Sequence, residues 1–181
     1  MKNTFVIIAI FAFIACSKDD EKVETNGEAI ISSQLFSDDV NYYTEGFSFE
    51  KAKNVRYSIT STTNADLVLT SDVSSSGKIE SLVLLSAKNN EAFFKAGEFE
   101  DLAEAEAFYN SITDAGSNTY TPTAEDIALY QVYIYQSPAK KYAKFLVKDL
   151  KVVPDSPKSH VEITIEWLYQ PNGEKVFLTE E

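Results

Sequence analysis

One cysteine, one histidine and one methionine are all that 181 residues hold of the softer metal ligands. A single Cys makes no internal disulfide and no Cys-cluster zinc site, and a single His makes no two-histidine metal site within one chain. Positive charge is scarce as well. Sixteen Lys+Arg stand against twenty-eight Asp+Glu, a net charge of −12. Such a surface repels nucleic-acid phosphates and anionic lipid heads, so no nucleic-acid partner is expected. Six Gly and five Pro are too few for a collagen-like or low-complexity chain. The usual catalytic signatures are missing too: no Gly-x-Ser-x-Gly, no phosphate-cradling Gly-rich loop with its Lys, no His-Glu-x-x-His. Nucleophilic hydrolysis needs a Ser or Cys beside a base, and this chain has little to offer as base. Carboxylates are plentiful, so inventory alone leaves a glycosidase pair open. Most of them, however, alternate with apolar residues or crowd one helix start, as solvated faces do. The expectation is a protein that is not an enzyme.

What is present is a globular composition, 44% hydrophobic and 13% aromatic, at a length suited to one domain. It is preceded by an address. Lys2 supplies a charged start, and Phe5 to Ala15 is apolar throughout. Eleven residues at ~1.5 Å each span about 16 Å as helix, half of a ~30 Å bilayer core. That is the apolar region of a signal peptide, not a membrane span. It ends in Phe13-Ile14-Ala15-Cys16, which resembles the lipobox of bacterial lipoproteins. The resemblance implies cleavage after Ala15, a diacylglyceryl group on the Cys16 sulfur and acylation of the new amine. Several acyl chains at ~0.8 kcal/mol per buried CH₂ anchor stably where one would be marginal. The plainer alternative is a secretory signal with an accidental Cys at its end. Ser17-Lys18-Asp19-Asp20-Glu21 is similar to the export tag of surface-exposed outer-membrane lipoproteins; read without that resemblance, it is a solvated charged tether. The organisation is then residues 1–15 as signal, 16–27 as lipidated Cys and acidic leash, and 28–181 as the folded part.

The folded part reads as mostly β, a single antiparallel β-rich domain with one amphipathic helix and a C-terminal meander. Tyr130, Val132 and Ile134 alternate with Gln131, Tyr133 and Tyr135. A second strand runs from Tyr142 to Val153, where the apolar phase changes near Lys148-Asp149 and predicts a bulge. Val161, Ile163, Ile165, Trp167 and Tyr169 form the cleanest alternation. Pro171-Asn172-Gly173 then turns the chain toward a short strand at Val176 to Leu178. Earlier strands are expected at Ala29 to Phe36, Phe47 to Lys51, Val55 to Thr60, Asp66 to Thr70 and Ile79 to Ser86. Phe99, Leu102, Ala105, Tyr109 and Ile112 recur at helical spacing, with Glu98, Glu100 and Asp101 at the start, where the helix dipole favours negative charge. Thr123-Ala124-Glu125-Asp126 looks like a capping box opening a short helical turn.

Tyr130, Tyr133, Tyr135, Tyr142, Trp167 and Tyr169 lie in and around the meander. They serve either as core and edge cover or as an aromatic wall for a flat ligand such as a porphyrin or a sugar ring. His160 reads as an exposed strand-end residue, with iron ligation the alternative.

The lipobox, the tag, Lys141-Tyr142-Ala143-Lys144-Phe145-Leu146-Val147 and the Val161–Tyr169 strand with Gln170-Pro171-Asn172-Gly173 together resemble the HmuY-like lipoproteins. That resemblance covers about fifty residues. It implies a mostly β outer-membrane or secreted protein, and in some members a haem held by two His or Met side chains. The mature chain keeps only His160, so neither ligand carries over. The function expected is a lipid-anchored surface protein, in the outer membrane and facing the cell exterior, that binds a small ligand. Haem or another flat molecule comes first, with Tyr130, Tyr133, Tyr135, Tyr142, His160 and Trp167 as its surroundings. The alternative is an accessory envelope lipoprotein that contacts a partner protein and has no small ligand.

Overall fold

The computed structural model describes residues 24–39, 41–58, 65–87, 89–155 and 158–177. The predicted cleavage site at Ala15, the lipidation site at Cys16 and the tag at 17–21 lie outside them.

A five-stranded antiparallel sheet forms the centre. Its strands are β1 (Asn26–Ser32), β7 (Phe93–Glu98), β9 (Gln131–Gln136), β10 (Tyr142–Val153) and β11 (His160–Gln170), in the order β1-β11-β10-β9-β7. The meander β9-β10-β11 is as its alternation predicts. The register of β10 against β11 shifts between Val147 and Asp149, at the predicted bulge. Leu150 and Val152 thereby return to the side where Phe145 and Val147 pack. Two smaller sheets flank this one. β2 (Phe36–Ser37), β3 (Tyr42–Ser48) and β4 (Lys53–Tyr57) form the first; β5 (Val68–Val73), β6 (Ile79–Leu85) and β8 (Thr123–Ala124) form the second.

Both faces of the central sheet are covered, which explains why every residue of β9 is buried. On one face Tyr133, Tyr135, Phe145, Ile163, Ile165 and Trp167 pack against residues of the smaller sheets such as Phe47, Leu67 and Leu84. On the other, Val132, Ile134, Leu146 and Leu168 pack against Ala105 and Tyr109 of the helix α1 (Leu102–Ser111) and against Phe177. Strands buried on both sides lose the apolar-in, polar-out pattern and gain an apolar residue at each step.

Several expectations are corrected. The helix starts later than its apolar spacing suggested, with Asp101 as N-cap accepting the Glu104 N–H at 2.9 Å. Glu98 belongs to β7 and pairs with Lys95. β7 itself went unpredicted, because a bulge between Lys95 and Gly97 breaks its alternation. Thr123-Ala124 opens no helix; it is β8 and pairs with Leu84 and Leu85. The strand expected over Ala29 to Phe36 is two pieces, β1 and β2. The one expected to begin at Phe47 is the end of β3, and a turn follows at Phe49–Ala52, with Ala52 at φ 50°. Val176 does not return along β11. It bridges to Asp114, Phe177 N–H donates to Thr113 O, and the Phe177 ring packs on the helix side. Residues 59–60 and 178 of the predicted strands lie outside the described residues.

Candidate functional site

The end of the central sheet that carries the β9–β10 turn holds a cleft of about 210 Å³, lined by Ser48, Glu50, Asp66, Tyr135, Lys141 and Tyr169 among others. Asp66 lies at its heart, on the segment 65–67 that leads into β5. Backbone bonds pin that segment on two sides. Phe47 O accepts from Asp66 N–H at 2.8 Å and Leu67 N–H at 3.1 Å, Phe47 N–H donates to Leu67 O at 2.8 Å, and Ala87 N–H donates to Ala65 O at 3.2 Å. Gly46 makes this crossing feasible. A Cβ there would sit 2.6 Å from Ala65 Cβ and 2.7 Å from Leu67 O, closer than atoms tolerate.

So placed, the Asp66 carboxylate accepts two well-formed hydrogen bonds. Tyr135 O–H donates to Oδ1 at 2.8 Å and Phe49 N–H donates to Oδ2 at 2.8 Å. Ser86 Oγ stands 3.2 Å from the same tyrosine oxygen. Burial pushes the Asp66 carboxyl above the usual carboxylate range, against the bonds from Tyr135, Phe49 and Ser48 that pull it down; the nearby Glu50 charge adds to the rise. The phenols of Tyr135 and Tyr169 are pushed upward in turn, first by burial and then by the Asp66 charge. Tyr169 stacks on Phe49 at 5.9 Å between centroids. At the rim Lys141 Nζ pairs with Glu50 at 3.0 Å. A perturbed carboxylate in a cleft with convergent polar groups is a functional-site signature on physical grounds.

The residues singled out from sequence are not gathered in one place. Tyr133, Tyr135 and Trp167 are packed in the core on one face of the sheet, at 1%, 1% and 2% exposure. Tyr133 stacks on Phe145 at 5.2 Å, and Trp167 lies against Phe47 and Phe49. Tyr142 is buried on the opposite face and Tyr130, at φ 65°, packs beside the same cluster. His160 is buried at the head of β11, with Nδ1 3.8 Å from Asp155 and Nε2 3.7 Å from Glu162, and is not the exposed strand end expected. The β-strand rise of ~3.3 Å per residue puts it roughly 30 Å from Tyr169. This arrangement does not fit a haem. The rings meant to face it stack on one another, and the only histidine sits at the far end of the strand. Among the described residues no group of three or more His, Cys, Asp or Glu is placed to hold a metal ion.

Of the six residues expected around a ligand, Tyr135 alone lines the cleft; Tyr169, one of the meander aromatics read as core or as a ligand wall, lines it as well. Asp66 and Ser48 were not anticipated as site residues. The available signal was Asp66 itself, a lone carboxylate inside Ala65-Asp66-Leu67-Val68-Leu69, where the apolar residues on either side imply burial.

Two larger grooves differ in chemistry. One of about 480 Å³ runs beside β7, lined by Phe94, Lys95, Thr121, Glu125 and Tyr133. Another of about 440 Å³ lies between α1 and the β1–β11 edge, with Lys144 and Lys148 in its lining. Its cations are already engaged. Lys148 pairs with Glu28, Glu106 and Glu166, and Lys144 donates to Tyr109 O and Ile112 O.

No family model matches this chain, and no curated protein matches it.

Proposed function

We propose that the chain is a lipid-anchored, non-enzymatic binding protein of the outer membrane, facing the cell exterior, whose β domain holds a small polar ligand in the Asp66 cleft. The observation that carries this reading is the partly buried Asp66 carboxylate, fixed by Tyr135 and Phe49 at the centre of a cleft of about 210 Å³. Ligand sites for drug-sized molecules run to ~300–1,000 Å³, so the cleft suits something smaller. Haem is too large for it. The anchor rests on Phe13-Ile14-Ala15-Cys16 and on the acidic tag, and the HmuY-like resemblance of the C-terminal half agrees with that location.

Nuclear magnetic resonance of the full chain against a library of small polar fragments tests the binding half. Amide shifts confined to Asp66, Tyr135 and Tyr169 are expected. A library that leaves those amides still removes the reading. Mass spectrometry of the cellular product tests the anchor, with an acylated N-terminal Cys16 expected and an unmodified thiol counting against it. Haemin titration at micromolar protein is expected to leave the Soret band unshifted.

The alternative, an accessory lipoprotein that touches a partner protein, has one observation in its favour. Ile30, Leu35 and Tyr42 are 51%, 65% and 72% exposed, all in the stretch from β1 to β3. Apolar exposure of that kind suits an interface.

A further inference from the structure

The cleft is anionic beyond what its own residues neutralise. Asp66 is bonded by neutral donors only, the Tyr135 hydroxyl, the Phe49 amide and the Ser48 hydroxyl. Among the described residues no ammonium or guanidinium stands within ion-pair distance of it. The one basic side chain in the lining, Lys141, is committed to Glu50. Two carboxylates against one ammonium leave a negative charge in a partly dry site, where a charge without a partner is costly. Tyr135 and Tyr169 also line the cleft, with their rings packed on Phe49 inside the core. The Tyr169 hydroxyl has no hydrogen-bond partner among the described residues and is left to accept one.

We propose that the Asp66 cleft selects a primary ammonium group on a short aliphatic arm, which the Asp66 carboxylate holds while Ser48 and Tyr169 offer further oxygen acceptors. This rests on the cleft being the ligand site. Size agrees with it. About 210 Å³ is the space of roughly seven water molecules at ~30 Å³ each, enough for an amine of a few heavy atoms. A divalent metal ion is less well served, since calcium takes about six to eight oxygen ligands including several carboxylates.

The test uses the full chain labelled for NMR, titrated at fixed ionic strength with n-propylammonium, n-propanol and propionate, which share shape and differ in charge. Propylammonium should shift the Asp66, Tyr135 and Tyr169 amides, n-propanol should bind at least about tenfold more weakly, and propionate should leave the cleft unchanged. The variant Asp66→Asn should weaken propylammonium by about tenfold or more. Should that variant not fold, the charge selectivity of the wild-type chain decides alone. The blocked peptide acetyl-Gly-Lys-Gly-amide carries the same group on a main chain and has no second ammonium. Its binding in place of propylammonium would assign the ammonium to a protein side chain, and binding of both would admit free amines. Equal binding of n-propanol, unchanged binding by Asp66→Asn, or silence toward both ammonium probes overturns the proposal. If neutral fragments still shift the cleft amides in that event, the cleft remains a ligand site of another chemistry. If nothing shifts them, both readings fall together.

Discussion

Replacing Lys144 by Met measures how the helix is fastened to the sheet. Lys144 rises from β10 toward α1 and is 1% exposed. Its ammonium donates to Tyr109 O at 2.8 Å and Ile112 O at 2.9 Å, and stands 4.4 Å from the centre of the Tyr109 ring. Both carbonyls belong to the helix end, where no amide four residues on is available and the dipole is negative. Two effects oppose each other in the substitution. Burying an ammonium costs several kcal/mol, and burial does push the Lys144 pKa below its ordinary value. Removing the charge recovers that cost. It also strands the acceptors, because Met fills the space without donating. Ile112 O then accepts nothing among the described residues, while Tyr109 O keeps the Ile112 N–H at 3.3 Å.

An orphaned buried acceptor costs roughly 1–3 kcal/mol, and hydrogen bonds to a charged donor are worth about 1.5–3 kcal/mol net of desolvation. Counting one bond in full, the second in part and a modest cation–π contribution gives a loss of about 3 kcal/mol. At ~2–4 °C per kcal/mol for a domain of this size, Tm should fall by about 6–12 °C. Trp167 is the only tryptophan and is 2% exposed in the core, so its fluorescence reports unfolding directly. A Lys144→Met chain that melts at or above the wild-type temperature would show that the burial penalty outweighs the capping, and would refute this reasoning.

Gly46→Ala should destabilise by about 1–3 kcal/mol, since a Cβ meets Ala65 Cβ at 2.6 Å and Leu67 O at 2.7 Å; urea unfolding that matches wild type would contradict the close approach. Asp101→Ala should cost about 1 kcal/mol through loss of the bond to Glu104 N–H, read as a lower urea midpoint at an unchanged slope. Asp66 gives a pH signature. Its folded pKa lies above the ordinary 3.8, so the folded state holds that proton more tightly than the unfolded chain does. The stability from this group is present below 3.8 and is lost as pH climbs through the folded value, so Asp66→Asn should gain stability relative to wild type as pH rises toward neutral. Urea titrations across that range that show a relative decline would reverse the sign and reject the burial account.

Much of the central sheet was legible because antiparallel neighbours in sequence need only short turns, and period 2 is visible when strands are long. β10 and β11 run twelve and eleven residues, and even the bulge near Lys148-Asp149 could be seen as a change of phase. What was not legible depends on distant partners. β8 is two residues long and exists only because β6 offers an edge to Thr123 and Ala124. Val176 and Phe177 follow a sound Asn-Gly turn signal, yet they leave β11 because burying the Phe177 ring against the helix side outweighs continuing a hairpin. The cleft was hidden for the same reason. Asp66 and Tyr135 are 69 positions apart, and no local pattern announces that β3 and the segment 65–67 will bring them together.

The aromatic alternation of β9 misled for a reason that also limits where a ligand can bind. Tyr133 and Tyr135 read as a wall for a flat molecule only if one face of their strand is free. The smaller sheets cover that face, and α1 with Phe177 covers the other. A ligand lying on the sheet would have to displace Phe145 from Tyr133 or Phe49 from Tyr135, opening a core whose rings are at most a few per cent exposed. Buried aromatic contact of this extent costs several kcal/mol to break. A sheet closed on both faces leaves its strand ends and edges for recognition, because only there do side chains reach solvent without losing core packing. Asp66 and the Tyr169 hydroxyl meet at one such end, where the turn between β9 and β10 leaves a gap that the core does not fill.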